Sequence, residues 1–271
     1  MCSMTIAGGT VDVDADLPGI LDALERQVAV LTALVRTDTD VARTVFGLEW
    51  TVGDLHAHLA ATAINYARMA DGQIAMTDAL SQRRLVIDRG IAEQLGSSPA
   101  AHAELIEHNV SHLVASLRSG TDDHRLPYYG MDVAPSLIAG MCLNELVVHG
   151  VDLARTHHSP VDIPDDAAYH SLLATTALAA CALTPWARTR RMVFGYAAEG
   201  HPPIVIALDR GTVNVDHDTS RRVDAWFGGT ATDLLLASYH RVGTARALRT
   251  LRLRGRRPYL GLLADKAFEP A

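Results

Sequence analysis

The stretch that decides the fold is Asn144-Glu145-Leu146-Val147-Val148-His149-Gly150-Val151-Asp152, an apolar segment with a carboxylate and an imidazole four positions apart. Each residue of an α-helix turns by about 100°, so Glu145 and His149 project from one face and can bind the same ion. An earlier stretch, Trp50-Thr51-Val52-Gly53-Asp54-Leu55-His56-Ala57-His58-Leu59, offers His58 as a third ligand from a neighbouring helix. Two histidines and one carboxylate with an open position suit a catalytic divalent metal, Zn²⁺ first. The pattern therefore predicts a metalloenzyme.

Other interpretations of these residues stay open. A buried carboxylate without a partner is costly, so Glu145 needs either a metal or one of the many arginines. His56 is an alternative to His58, but the two side chains point about 200° apart on a helix, so only one can face the site. His58 shares a stripe with Leu55 and Leu59, which we expect to face the interior.

Further polar residues near the motifs have alternative roles. Asp152 follows the second histidine by three residues and is a candidate acceptor for a ring nitrogen, or else a partner of Arg155. Cys142 is predicted to be a small core residue rather than a ligand or nucleophile. A rival pair, His108 and His112, also has the i, i+4 spacing, but its polar neighbours favour a solvated face.

Composition narrows the function class. The chain has 271 residues, a formal net charge of −7 and 5% aromatic residues, which argues against a nucleic-acid partner because phosphate binding needs a basic surface. Three cysteines (Cys2, Cys142 and Cys181) show no paired spacing and predict free thiols in a reducing compartment. No secretion signal or membrane span is visible, so we expect a cytoplasmic protein without a membrane partner.

The spacing of apolar residues predicts helices in the first two thirds of the chain. Short connections between long helices favour a four-helix bundle. The predicted segments are Pro18 to Val35, a helix capped by Thr51, Ser98 to Gly120, Ala134 to Thr156, and Pro164 to about Leu183.

The pattern changes near Thr184-Pro185, where short strand-like runs begin. The expected strands are Met192 to Tyr196, Pro203 to Leu208, Thr212 to Val215 and Leu251 to Leu253, with a helix from Asp233 to Tyr239. The fold class predicted is therefore α+β, with a helical bundle over residues 1–187 and a small α/β domain over residues 188–271.

The two helical motifs resemble those of the mycothiol-dependent maleylpyruvate isomerase family, which belongs to the DinB-like metal-binding bundles. The runs are W-T-V-x-D-L-x-A-H-L at residues 50–59 and N-E-L-V-V-H-G-x-D-L-A at residues 144–154. The resemblance maps the family's metal ligands onto His58, Glu145 and His149. The region from Asp233 to Arg241 resembles the sterol-carrier-like α/β domain that accompanies these bundles.

The resemblance implies a particular chemistry. Mycothiol, a low-molecular-weight thiol, would be the cofactor or co-substrate, and a Zn²⁺ ion with an open position would lower the pKa of its sulfur. The thiolate would add to a small electrophile, commonly a carboxylate, and either isomerise it or remain attached. Arg241, Arg252 and Arg254 are the candidates for a carboxylate clamp, in a cleft expected where the two domains join. We expect a monomer or a weak homodimer.

Two other function classes remain possible from the sequence. One is a metal-dependent hydrolase or another non-thiol DinB-like enzyme, in which the bound species is a water. The other is a non-catalytic carrier, in which the second domain binds an apolar ligand and the bundle is a scaffold.

Overall fold

The computed structural model describes residues 3–6, 9–12, 15–74, 83–120, 125–128, 131–160, 162–178, 183–261 and 267–268. Contacts between residues divide the chain into two compact units. One is the helical unit, Asp16–Ala167, and the other is the sheet unit, which joins Met1–Ala15 to Ala168–Ala271. The predicted fold class, a helical region followed by a smaller sheet-containing region, is confirmed. The division at residue 187 stays a prediction.

Four long helices pack against one another in the helical unit. They are α1 (Leu17–Thr37), α2 (Val52–Ala70), α4 (Pro99–Ser119) and α5 (Pro135–Thr156), and each covers a segment that the apolar spacing predicts. A shorter helix, α3 (Arg83–Gln94), packs against α2, and a hairpin of β3 (Leu126–Tyr128) and β4 (Met131–Val133) precedes α5. Helix α6 (Asp165–Leu178) ends before the predicted Leu183, and residues 179–182 lie outside the described part of the chain.

The start of α2 is fixed by a capping box. The Thr51 side chain accepts a hydrogen bond from the Asp54 amide, and the Asp54 carboxylate accepts one from the Thr51 amide at 2.9 Å. These bonds satisfy amides that a helix end leaves without partners. Because the first turn is fixed, the residues two turns further along have a defined orientation toward α5.

Helix α5 is the core helix of its unit. Its length and composition would allow it to cross a membrane. However, 94% of its apolar 18-residue stretch is buried inside the fold. Burial of this kind is expected of a core helix in a folded domain. A cytoplasmic location, the oligomeric state and the absence of a nucleic-acid partner stay predictions.

The sheet unit contains, within the described residues, a seven-stranded sheet in the order β1-β2-β7-β6-β5-β8-β9. Neighbouring strands are antiparallel except for β2 with β7 and β5 with β8, which are parallel. The strands are β1 (Ser3–Ile6), β2 (Gly9–Asp12), β5 (Arg191–Ala198), β6 (Ile204–Asp209), β7 (Thr212–Asp216), β8 (Ala225–Gly229) and β9 (Arg252–Arg254), with helices α7 (Ala231–Ser238) and α8 (Thr244–Thr250).

Candidate metal centre

Helices α2 and α5 carry the three predicted ligands. His58 lies on the second turn of α2, and Glu145 and His149 lie near the middle of α5, which packs against α2. His58 and Glu145 are buried, with 5% and 8% of their surface exposed, and His149 is slightly more accessible. The sequence therefore identified three side chains that the fold brings together.

The donor atoms of these residues fit a divalent ion. Among the described residues, His58, Glu145 and His149 offer one ligand atom each within 4.8 Å of one another. Glu145 Oε2 lies 3.1 Å from His58 Nε2 and 3.3 Å from His149 Nε2. Bonds of about 2.0–2.2 Å to a tetrahedral ion separate neighbouring ligand atoms by roughly 3.3 Å. Both separations from the carboxylate match this spacing, so the two imidazoles and the carboxylate could hold a divalent ion.

Asp152 orients one of the imidazoles. Its Oδ2 atom accepts a hydrogen bond from His149 Nδ1 at 3.0 Å, and its side chain is fully buried. With Nδ1 occupied in this way, Nε2 is the nitrogen that faces Glu145. The role expected for Asp152 as an acceptor for a ring nitrogen is therefore observed.

The charges in the cluster shift the pKa values of its members. Burial alone would raise the pKa of Glu145, but hydrogen bonds from His149 and His58 hold it well below its usual range. Burial would lower the pKa of His149, yet its bonds to Asp152 and Glu145 raise it to about 9. Burial dominates at His58 and lowers its pKa in spite of Glu145. The carboxylate therefore stays anionic at neutral pH.

An aromatic ring lies against the two imidazoles. The Trp50 ring centroid is 5.0 Å from that of His58 and 6.1 Å from that of His149, and the planes are tilted by 46° and 37°. The planes of the two imidazoles are nearly perpendicular, at 83°, and their ring centroids lie 5.1 Å apart. Trp50 belongs to the first sequence motif, but the spacing of that motif gave it no role.

A pocket opens beside His58 and Glu145. It has about 430 Å³ of space, part of it open to solvent. Arg83 on α3 lines it and places Nη2 3.7 Å from Glu145 Oε1. The hydroxyls of Tyr66 and Tyr128 lie 3.2 Å apart in its wall. The remaining lining residues are Ala61, Thr62, Asn65, Val86, Ile87 and Gly90.

The alternative ligands lie elsewhere. His56 is fully buried and binds Asp38 through Nε2 at 2.8 Å. His108 and His112 are exposed, as expected, and His112 Nε2 lies 2.7 Å from an Asp71 carboxylate oxygen.

The prediction that the cysteines are free thiols can be compared with the structure only at Cys142. Cys142 is a buried free thiol, and burial raises its pKa strongly, with a further contribution from the charge of Glu145. Cys2 and Cys181 lie outside the described residues.

The three arginines predicted for a carboxylate clamp lie in the sheet unit. Arg252 and Arg254 are exposed on β9, and Arg252 pairs with Glu199. Arg241 follows α7 and donates to the Tyr239 carbonyl at 3.1 Å. Their catalytic role stays a prediction. The sequence did not indicate a role for Arg83, because the helix that carries it lacks a periodic pattern of apolar residues.

Comparisons with known proteins concern the helical unit and the fold. Residues 21–154 match the family model of the mycothiol maleylpyruvate isomerase N-terminal domain. Two solved structures, the mycothiol-dependent maleylpyruvate isomerase and a histidine-to-alanine mutant of it, match with TM-scores of 0.53 and 0.55. Each is 18% identical in sequence, and each match covers 88% of this chain and 92% of the other. No curated protein sequence matches significantly.

The fold and the clustered donors define a helical-bundle protein with a candidate divalent metal centre and a second, sheet-containing unit. Residues 21–154 of the bundle are similar to the mycothiol maleylpyruvate isomerase N-terminal domain. The likeness to the solved structures concerns the fold, because the sequences are distant.

Proposed function

We propose that this chain is a metal-dependent enzyme that uses mycothiol as a thiol cofactor or co-substrate. Its substrate would be a small electrophile bearing a carboxylate, which it isomerises or to which it transfers the thiol. The observation that carries this proposal is the convergence of His58, Glu145 and His149 beside a pocket that also contains Arg83. The similarity of residues 21–154 to the mycothiol maleylpyruvate isomerase N-terminal domain supports it.

Zn²⁺ is the ion that this donor set favours. When bound, it would coordinate the sulfur of the external thiol and lower its pKa, so that a thiolate is available at neutral pH. The three ligands leave a coordination position for that sulfur. Cys142 does not compete for the role of nucleophile, because its raised pKa keeps its thiol protonated.

Arg83 is suited to hold the substrate carboxylate. A guanidinium has five N–H donors in a planar fork, so it can face Glu145 and still bind a second carboxylate. Its side chain is 28% exposed and lines the pocket. Arg83 thus joins Arg241, Arg252 and Arg254 as a proposed carboxylate ligand.

Tyr66 is suited to stabilise the charge that develops on the substrate. When bound, the thiolate would supply a nucleophile that adds reversibly to a double bond conjugated with a carbonyl. Negative charge would then develop on the carbonyl oxygen, and the former double bond could rotate before elimination releases the thiolate. Burial raises the pKa of Tyr66 well above its ordinary value, so its hydroxyl stays protonated and can donate to that oxygen.

Metal content and turnover test the proposal together. We expect the purified chain to bind about one Zn²⁺ ion and to isomerise maleylpyruvate only when mycothiol is added. His58→Ala and Glu145→Ala should lose metal and turnover together, whereas His108→Ala, on an exposed helix face, and Cys142→Ala should keep both.

Three results would contradict the proposal. Full activity after removal of the metal would exclude the ion from the chemistry. Loss of turnover in Cys142→Ala with metal retained would move the nucleophile into the protein. Zinc-dependent hydrolysis without any thiol would favour the water-activating alternative.

A further inference from the structure

The loop between α1 and α2 has a defined backbone structure that ends at Trp50. Val45 donates its amide to the Trp50 carbonyl at 2.9 Å, and Val52 donates to the Arg43 carbonyl at 2.8 Å. These two bonds close the loop immediately before the capping box of α2. The position of Trp50 is therefore restricted by a hydrogen bond to its own carbonyl and by another at Val52, two residues later.

The same loop is attached to α5. The Phe46 amide donates to Thr156 Oγ1 at 2.9 Å, and that hydroxyl donates to the Asp152 carbonyl at 2.7 Å. Asp152 is the residue whose carboxylate orients His149. The loop that carries Trp50 is thus tied to the turn of α5 that orients one of the candidate ligands.

The cluster of candidate ligands, His58, Glu145 and His149, has two different sides. His58 and Glu145 line the pocket with Arg83, while Trp50 is not among the described residues that line it. The Trp50 ring instead contacts the rings of both His58 and His149. We propose that Trp50 is a positioning residue for the metal centre: it fixes the two imidazoles and excludes water from its side, so that the open coordination position faces the pocket.

The physical reason is the size and rigidity of the indole. A side chain that packs on two ligands restricts their rotation, and residues in this outer layer affect metal affinity by about 10–100-fold. An aromatic wall also keeps water from adding to the coordination sphere. This inference rests on the proposed metal centre, but it concerns a residue that binds neither metal nor substrate.

Cobalt binding tests the role without any substrate. Co²⁺ replaces Zn²⁺ in sites of this kind, and its visible absorption is strong with four ligands and weak when water raises the coordination number. We expect Trp50→Leu to show weaker absorption and to release Co²⁺ to a chelator about tenfold faster than the unsubstituted chain. Trp50→Phe, which keeps an aromatic ring, should restore most of both properties.

Phe46→Leu is the matched control, because Phe46 is an aromatic residue of the same loop but is 64% exposed. It should leave the absorption and the release rate unchanged. Equal spectra and release rates in Trp50→Leu and the unsubstituted chain would overturn the positioning role and leave the metal centre intact. Equal losses in the Phe and Leu variants would overturn the role of the aromatic ring. Failure of the unsubstituted chain to bind Co²⁺ would overturn the metal centre, and the role of Trp50 with it.

Discussion

Glu145 at the centre of an apolar helix would be costly if it stood alone. Its surroundings offset that cost with two imidazole nitrogens at 3.1 and 3.3 Å and a guanidinium at 3.7 Å. A buried charge held in this way strongly destabilises the protein when one partner is removed. Glu145 and its partners therefore stabilise one another's charges, and substitution of one of these residues should measurably change the pKa values of the others.

Substitution of the carboxylate alone tests this balance. Glu145→Gln keeps the shape of the side chain but removes one of the two charges, those of Asp152 and Glu145, that raise the pKa of His149. We expect metal affinity to fall by about tenfold or more and the pKa of His149 to move down toward its ordinary range. Metal titration and NMR of the histidine ring would measure both. Glu104→Gln, on the exposed face of α4, should change neither.

Metal binding should depend on pH through His149. Its pKa of about 9 in the metal-free protein means that the ring holds a second proton at pH 7, which an ion must displace. Affinity should therefore rise as the pH increases toward about 9. Calorimetry in buffers of different ionisation enthalpy should detect proton release at pH 7; binding without proton release would contradict the expectation.

The stability of the metal-free fold depends on pH in the opposite direction from metal affinity. The folded pKa of His149 lies above its ordinary value of 6.5, so the protonated ring stabilises the metal-free fold at low pH. That contribution is complete below about pH 6.5 and is lost as the pH rises through about 9.

At the scale of elements, local signals predicted the helices that carry the ligands. The Thr51 cap, the Asp54 carboxylate and the i, i+4 pair of α5 are all encoded within a few residues, and their structure follows from backbone geometry. Helix α3 has no comparable signal, because few of its residues are buried. Its position depends on packing against α2, so the approach of Arg83 to Glu145 could not be predicted from spacing.

The contact between α2 and α3 is close at one glycine. A Cβ atom on Gly90 would lie 2.9 Å from the Ala61 Cβ, and both residues line the pocket. Gly90→Val should displace α3, lower the melting temperature and weaken binding of small carboxylates. Ala92→Val, on an exposed position of the same helix, is the control for helix propensity and should leave carboxylate binding unchanged. Equal carboxylate affinity in both variants would contradict a pocket role for this helix contact.

At the scale of the whole molecule, the sequence predicted four strands of the large sheet but missed β1, β2 and β8. Residues 192–196 and 204–208 lie within β5 and β6, as their apolar runs indicate. The strands β1 and β2 are short and precede a long helical region, so nothing local indicates a pairing with β7. Strand pairing over such a separation depends on the complete fold, which sequence patterns do not describe.

Deletion of residues 1–14 tests that pairing. It removes β1 and β2 and leaves β7 at the edge of the sheet. We expect faster hydrogen exchange at those β7 amides that bond to β2, while the β7 amides that bond to β6 remain protected. Unchanged exchange along all of β7 would show that β2 does not pair there.

This pairing has a consequence for synthesis on the ribosome. Residues 9–12 emerge roughly two hundred residues before their partners at 213–216, so β2 must wait for β7 while the entire helical unit is made. Domains generally fold as units during translation, and the bundle can form within that interval. In the last step, this short extended segment must pair with the edge of a nearly complete sheet. Such pairing is slow, because a long loop has to close before the strands can make contact. A chaperone that binds extended strands would have its longest opportunity during this wait.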